Sequence, residues 1–328
     1  MVVPEMIRIN NGQKLSVSGA KEKRGNNEEY ESITVSGASE LIGNYTSNEI
    51  LISGACDVKG NLKAGLIKIS GSSDVIGDIE VDALYKSGAC DIKGNIRGNF
   101  IKTSGAGDIR GNVEADRLEI SGACDVKGNV NADFLRLSGS SDIKGDVVCN
   151  IAELYGATEV KGKLSGNDIQ VKGSCGIRKE VTCESLFISG SCVLKEGCEV
   201  GHFKSEGAVS ISKALYAEEV EISLVRKCRI TEIGAGKITV TRSNKTVNSG
   251  IAILNKVINE ISNSERYLEA DVIEGDYIFL ENTKAKLVRG KSIVIGVNCD
   301  IANVEYVSEY RALPEGNKST KVNEVTKL

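Results

Sequence analysis

The sequence predicts an all-β chain: a right-handed, triangular parallel β-helix with one coil per 17 residues. A short helical interruption and a second, shorter β segment follow the main array. Three observations carry this expectation. The nonapeptide "SGACDVKGN" at Ser53 returns as "SGACDIKGN" at Ser87 and as "SGACDVKGN" at Ser121, with "SGSSDVIGD" and "SGAGDIRGN" between them. Its first glycine recurs at 37, 54, 71, 88, 105, 122, 139, 156, 173, 190 and 207, every step being 17, after an opening step of 18 from Gly19. Between these glycines the apolar residues lie two apart, the period of one face of a strand.

Counting from the first glycine defines the columns. Four places on stand Leu41, Val58, Val75, Ile92, Ile109, Val126 and Ile143. Eight places on stand Leu62, Ile79, Ile96, Val113, Val130 and Val147, and thirteen on Ile50, Ile67, Leu84, Ile101, Leu118 and Leu135. The fifteenth place is mostly Ile, Leu or Val, with Lys86 and Thr103 as exceptions. Small residues such as Cys56, Ser73, Ala64 and Ala115 fill the second and tenth places. The inward positions therefore form three pairs per coil, separated by three corners. Two corners fall on glycine columns, the second running through Gly43, Gly60, Gly77 and Gly94, where a positive φ carries no steric penalty. A helical repeat of 34 residues is the competing arrangement, and the β-branched residues at period two exclude it. A single coil cannot bury its own apolar face, so stability comes from stacking on neighbours.

Five segments follow: 1–15 an N-terminal segment, 16–224 the repeat array, 225–267 a linker with a short amphipathic helix, 268–307 C-terminal β-helical coils, and 308–328 a polar tail. The helix is expected from Ile251, Leu254, Val257, Ile258 and Ile261, which share one stripe. Two coils of about 15 residues are expected after it, in "DYIFLENTKAKLVRG" and "KSIVIGVNCDIANVEY".

Composition narrows the function. Signs of charge are interleaved and the formal net charge is −4, which does not build a nucleic-acid groove. There is neither a signal peptide nor an apolar run long enough to cross a membrane, so a cytoplasmic chain, free or membrane-associated, is expected. In that compartment the ten cysteines are expected to be reduced. No CxxC pair marks a zinc site, and no cofactor or metal is expected. The thiols of the second column, among them Cys56, Cys90, Cys124, Cys175 and Cys192, are expected as small buried hydrophobes. Cys175 and Cys192 sit on adjacent coils, near enough for an oxidant to link them.

The nonapeptide's charges admit two readings. An acidic column (Asp57, Asp74, Asp91, Asp108, Asp125, Asp142) runs beside a basic one (Lys59, Lys93, Arg110, Lys127, Lys144), both facing outward. They form a metal or carbohydrate face, or a solvated face whose rows neutralise each other; the second is favoured because stacked like charges repel. The Asn/Asp column at Asn61, Asp78, Asn95, Asn112 and Asn129 follows a corner glycine and is expected to satisfy turn backbone groups. His202 is the single histidine and lies late in the array. With no inserted loop to wall a cleft, no catalytic residue is assigned and the chain is not expected to be an enzyme.

The corner-glycine coil, the S-G-x-x-D-V-x-G-[ND] pattern and the closing "VIEGDYIFLENTKAKLVRGKSIVIG" together resemble the bactofilins, the polymer-forming cytoskeletal proteins of bacteria, in the longer form found in Gram-positive species. The resemblance runs from about Ser16 to Tyr306. It implies a cytosolic scaffold or filament subunit that self-assembles end to end without nucleotide. It also implies itself as chief partner, with cell-envelope or wall-synthesis proteins beside it. Strand edges at the coil ends agree with this, and the self-assembly contact is expected at Ile33, Val35, Ile301, Val304 and Tyr306. Two rivals stand behind this reading. A β-helical binding module for carbohydrate or envelope partners would need export and rows of exposed aromatics. A hexapeptide-type acyltransferase is faintly resembled in "VIGVNCDI", but repeats every six residues.

Overall fold

The computed structural model describes residues 7–243, 266–313 and 319–328. Among the described residues every regular element is a strand, and every recorded strand pairing is parallel. The chain divides into two compact units, Met1–Lys163 and Leu164–Leu328. Each is a stack of β-helical coils.

In the first unit, Lys14–Val17 pairs with Glu28–Val35 at an offset of 18, as Lys14↔Ser32. Glu22–Arg24 pairs with Glu40–Ile42 at the same offset, and from Glu28↔Tyr45 on the offset is 17: Tyr45↔Leu62, Leu62↔Ile79, Ile96↔Val113 and Val130↔Val147. The glycine spacing is thus the coil length. The strand Ile79–Lys86 shows how one coil turns. Ile79, Val81, Leu84 and Lys86 are buried, so the alternation is kept at each end and broken in the middle at Asp82 and Ala83. This third corner is a bend within a continuous strand, without a glycine column. The other two corners use glycine. Gly54 has φ +93°, and a Cβ on it would stand 2.5 Å from the Gly37 carbonyl oxygen one coil below.

The columns form the core. Val58, Val75, Ile92, Ile109, Val126 and Ile143 are each 0% exposed. Burying one such side chain contributes about 1.5–3 kcal/mol, and the coil above and below supplies the burial. This couples the coils to one another and leaves each outermost coil half-satisfied.

The second unit begins with the same offset, as Leu164↔Val181 and Cys198↔Leu215. The count then drifts. Ala214 pairs with Glu232, after a register shift between Ile211 and Ala214. Cys228–Arg242, inside the segment expected as a linker, is therefore a full strand, paired with Ala208–Leu224 and with Leu268–Leu280. Its inward residues Cys228, Ile230, Ile233, Ile238 and Val240 are buried. A coil longer than 17 residues escapes a fixed-period count. The helix expected over Ile251–Ile261 lies outside the described residues. After it, Leu268 pairs with Thr283, the shorter 15-residue step. Beyond Tyr306 the chain remains strand: Asp300–Ala312 continues, and Lys321–Lys327 lies parallel to it as Ile301↔Val322 and Val304↔Val325. "KVNEVTK" is mostly polar, and among the described residues only one edge of it is paired.

Candidate functional site

The nonapeptide serves the stack. The Asn/Asp that follows the second corner glycine points its side-chain oxygen at the next coil. Asp78 N–H donates to Asn61 Oδ1 at 2.9 Å, Asn95 N–H to Asp78 Oδ1 at 2.7 Å, and Asn112 N–H to Asn95 Oδ1 at 2.9 Å. The ladder continues through Asn129 and Asp146 to Lys163 N–H. At this corner the strand has ended, and the side chain receives a backbone donor that would otherwise lack a partner. The acidic column does the same at two places: Asp91 Oδ1 accepts from Asp108 N–H at 2.9 Å, and Asp125 Oδ1 from Asp142 N–H at 3.0 Å.

Its charges are paired along the stack. Lys93 Nζ lies 2.8 Å from Asp74 Oδ2, Lys127 Nζ 2.6 Å from Asp108 Oδ2, and Lys161 Nζ 2.9 Å from Asp142 Oδ2. Burial alone would raise the Asp108 carboxyl, but the hydrogen bond and charge of Lys127 hold it below the usual range. These groups are about a third exposed, and pairs of this kind contribute about 0–1 kcal/mol each. Among the described residues no cluster of His, Cys, Asp and Glu is arranged to hold a metal ion.

The cysteines all point inward: all ten are buried, and none is in a disulfide. Burial pushes the Cys90 and Cys149 thiols up to about 12, and those of Cys228 and Cys299 up to about 11. The nearby Lys86 charge opposes the rise at Cys90 without overcoming it. Cys175 and Cys192 are register partners on adjacent coils, and a hydrogen bond from one to the other, with burial, raises the Cys192 thiol well above its ordinary value. A thiol without thiolate and without solvent contact is not a nucleophile. Iodoacetamide at pH 8 is expected to label none of the ten within minutes in the native protein and all ten in guanidinium. Rapid native labelling of Cys90 or Cys192 would contradict their place in the core.

His202 is on an outward column, 56% exposed, with Nδ1 3.8 Å from Glu219 Oε2. No buried partner orients it.

Lys86, visible in the sequence as an exception in an apolar column, is the least expected group in the core. It is 1% exposed, and its Nζ donates to the carbonyls of Ala106 and Gly107, each at 3.1 Å. Gly107 stands where other coils carry an inward Cys, Ser or Thr, and its φ of +102° is a conformation closed to those residues. The missing side chain leaves room for the lysine, and the altered backbone leaves two carbonyls for it to bind. Thr103, the second exception, is also buried, and its hydroxyl has no hydrogen-bond partner.

Of the five residues expected at a self-assembly contact, four lie beneath a further described strand of the same chain. Ile33 and Val35 are 0% exposed because Lys14–Val17 covers them, as Ile33↔Leu15 and Val35↔Val17. Ile301 and Val304 are buried beneath Val322 and Val325. Tyr306 is half-buried, its ring centroid 5.8 Å from that of Tyr310. Among the described residues, Lys14–Val17 and Lys321–Lys327 are the strands one step further out. The period breaks there, at the 18-residue opening step and after Tyr306, so the column count did not reach them.

Residues 82–165 match the family described as "Bactofilin: Polymer-forming cytoskeletal". Two Bacillus subtilis (strain 168) proteins are similar over parts of the array. "Uncharacterized protein YhbF" is 38% identical over 99 residues, 30% of this chain and 34% of that protein. "Uncharacterized protein YhbE" is 49% identical over 53 residues, 16% of this chain and 22% of that protein. The chain thus spans about a third and about a fifth of the length of these relatives. No solved structure matches. The matched segment, 82–165, is built of in-register 17-residue coils with corner glycines and a paired Asp/Lys face, and it is over these coils that the chain is similar to the polymer-forming cytoskeletal family.

Proposed function

We propose that this chain is a structural scaffold subunit that associates end to end with copies of itself, without nucleotide and without catalysis. The observation that carries the reading is the edge of the outermost strand, Lys321–Lys327. One side of it pairs with Asp300–Tyr306, and no described residue pairs with the other. A strand edge with unpaired N–H and C=O groups is a template for another strand. Association of this kind uses backbone hydrogen bonds and apolar contact, and no step in it consumes a nucleotide. The paired outward charges and protonated inward thiols support a scaffolding role over chemistry, and the family description supports self-association. Cell-envelope or wall-synthesis proteins would be the partners of such a scaffold, at the cytoplasmic side of the membrane.

Sedimentation velocity of the full chain from 1 to 100 µM, with and without ATP or GTP, tests this. The expected result is a concentration-dependent shift to larger species, identical in all three conditions. A monomer throughout, or association that requires nucleotide, would overturn the reading.

A further inference from the structure

The asparagines of the corner ladder are shielded from reaction with their own backbone, and one asparagine outside the ladder is not. Asn61, Asn95, Asn112 and Asn129 are each followed by Leu, Ile or Val. The N–H of that next residue donates to a carbonyl one coil on: Leu62 to Asp78, Ile96 to Asn112, Val113 to Asn129 and Val130 to Asp146. Asn11 is instead followed by glycine, in the single Asn-Gly pair of the sequence. Both residues are exposed and lie just before the strand Lys14–Val17. Among the described residues the Gly12 N–H has no hydrogen-bond partner. A Cβ on Gly12 would meet nothing within 4 Å, so no neighbouring group screens this nitrogen from water.

The Asn11 side chain is held at both ends. Gln13 N–H donates to Asn11 Oδ1 at 2.9 Å, closing a turn that has the Gly12 nitrogen inside it. A donor fixed on that oxygen stabilises the negative charge that forms there when a nucleophile adds to Cγ. At the other end, Nδ2 donates to the Glu29 carbonyl at 3.1 Å, in the strand Glu28–Val35. This bond helps to bring the chain onto that strand. Its companions are Ile9 N–H to Asn48 Oδ1 at 2.6 Å, Asn48 Nδ2 to the Ile9 carbonyl at 2.7 Å, and Glu31 N–H to the Gln13 carbonyl at 2.8 Å. The strand that follows has four residues, of which only Val17 is buried.

We propose that Asn11 is a site of self-modification, its side-chain amide displaced by the Gly12 nitrogen, and that the change loosens Lys14–Val17 from Glu28–Val35. The Gly12 nitrogen gives its proton to hydroxide and bonds to Asn11 Cγ. The Cγ–Nδ2 bond breaks, and ammonia leaves with a proton from water, so a five-membered succinimide remains. Water then adds to one of the two ring carbonyls. Opening at Cγ gives aspartate, and opening at the main-chain carbonyl gives isoaspartate. One water enters and one ammonia leaves, with no oxidant or reductant. Because the ammonia is lost, the product accumulates with the age of the chain. Both products carry a carboxylate in place of the amide, so the Glu29 carbonyl loses its donor and faces another acceptor. Isoaspartate also lengthens the main chain ahead of Gln13, which draws the Gln13 carbonyl away from Glu31 N–H. A four-residue strand with one buried side chain then opens at little cost. Its opening uncovers Ile33 and Val35, both 0% exposed beneath Leu15 and Val17.

Ageing the full chain at 37 °C and pH 8.5, followed by peptide mapping in a mass spectrometer, tests the chemistry. Asn11 is expected to gain one mass unit before any ladder asparagine does, and three units when the water carries oxygen-18. A synthetic peptide spanning residues 7–15 sets the clock. A full chain still unmodified at Asn11 when that peptide is half converted would overturn the proposal. Amide hydrogen exchange tests the loosening. Lys14–Val17 should lose protection in the aged wild type and in fresh Asn11→Asp. Aged Asn11→Gln should match fresh Asn11→Gln, because the longer side chain closes its ring far more slowly. Modification at Asn11 with unchanged protection over Lys14–Val17 would overturn the loosening. An equal loss on ageing in Asn11→Gln would overturn it too, since the cause would then lie elsewhere in the chain.

Discussion

Gly54→Ala is expected to destabilise the first unit by about 3–5 kcal/mol. The backbone at Gly54 has φ +93°, which costs any other residue about 1–3 kcal/mol. The new methyl would also sit 2.5 Å from the Gly37 oxygen and 3.0 Å from the Gly37 nitrogen, both of them backbone atoms that cannot rotate away. Relieving this overlap means parting two coils, a strain of about 1–3 kcal/mol more. Gly197→Ala is the control: its φ lies outside the left-handed region, and a Cβ there meets nothing closer than 3.3 Å. Urea denaturation followed by circular dichroism should show a large shift in midpoint for Gly54→Ala and a shift equivalent to less than about 1 kcal/mol for Gly197→Ala. Equal shifts would mean that the corner glycines are not under conformational constraint.

Lys86→Ala should cost a similar amount, about 3–5 kcal/mol, for a different reason. Truncation opens a cavity where the four-carbon stem was packed. It also leaves the Ala106 and Gly107 carbonyls without their buried donor, at about 1–3 kcal/mol for an orphaned group. Lys86→Met separates the two effects, since it refills most of the volume and restores no hydrogen bond; a loss of about 1–3 kcal/mol is expected. The opposite sign is physically reasonable in other cores, where a buried charge is a burden that an apolar residue removes. A stabilised Lys86→Met would therefore show that the two carbonyls gain little from the ammonium.

The fold was legible because the sequence repeats one solution many times. Val58, Val75, Ile92, Ile109 and Val126 share a column in the sequence at period 17 and a stack in the structure. The outward Asp and Lys rows, the Asn ladder and the inward thiols followed from the same count. What escaped lay where the count changes. Cys228–Arg242 joins the stack after a register shift, so its inward residues fall off the 17-residue columns. Lys23 belongs to the column of Leu41, but an extra residue in the first coil hides the alignment. The third corner has no glycine to announce it, because a bend inside Ile79–Lys86 needs no positive φ. Apolar residues mark the columns and do not say which coil is the last, so the strands Lys14–Val17 and Lys321–Lys327, which lie over Ile33 and Ile301, were not marked by the count.

The central claim is that each residue of the array stands beside the residue 17 places on in a neighbouring parallel coil. Disulfide scanning on the outer face tests it most directly. Lys63 and Glu80 are register partners with their side chains 2.7 Å apart. Their Cα atoms, about 4.8 Å apart, lie within disulfide reach. Asp82 is two places further along the same strand, roughly 7–8 Å from Lys63 and outside that reach. Under mild oxidation of the folded protein, Lys63→Cys with Glu80→Cys should link nearly completely, and Lys63→Cys with Asp82→Cys should remain free. Free thiols in the first pair, or equal linkage in both, would contradict the in-register coil.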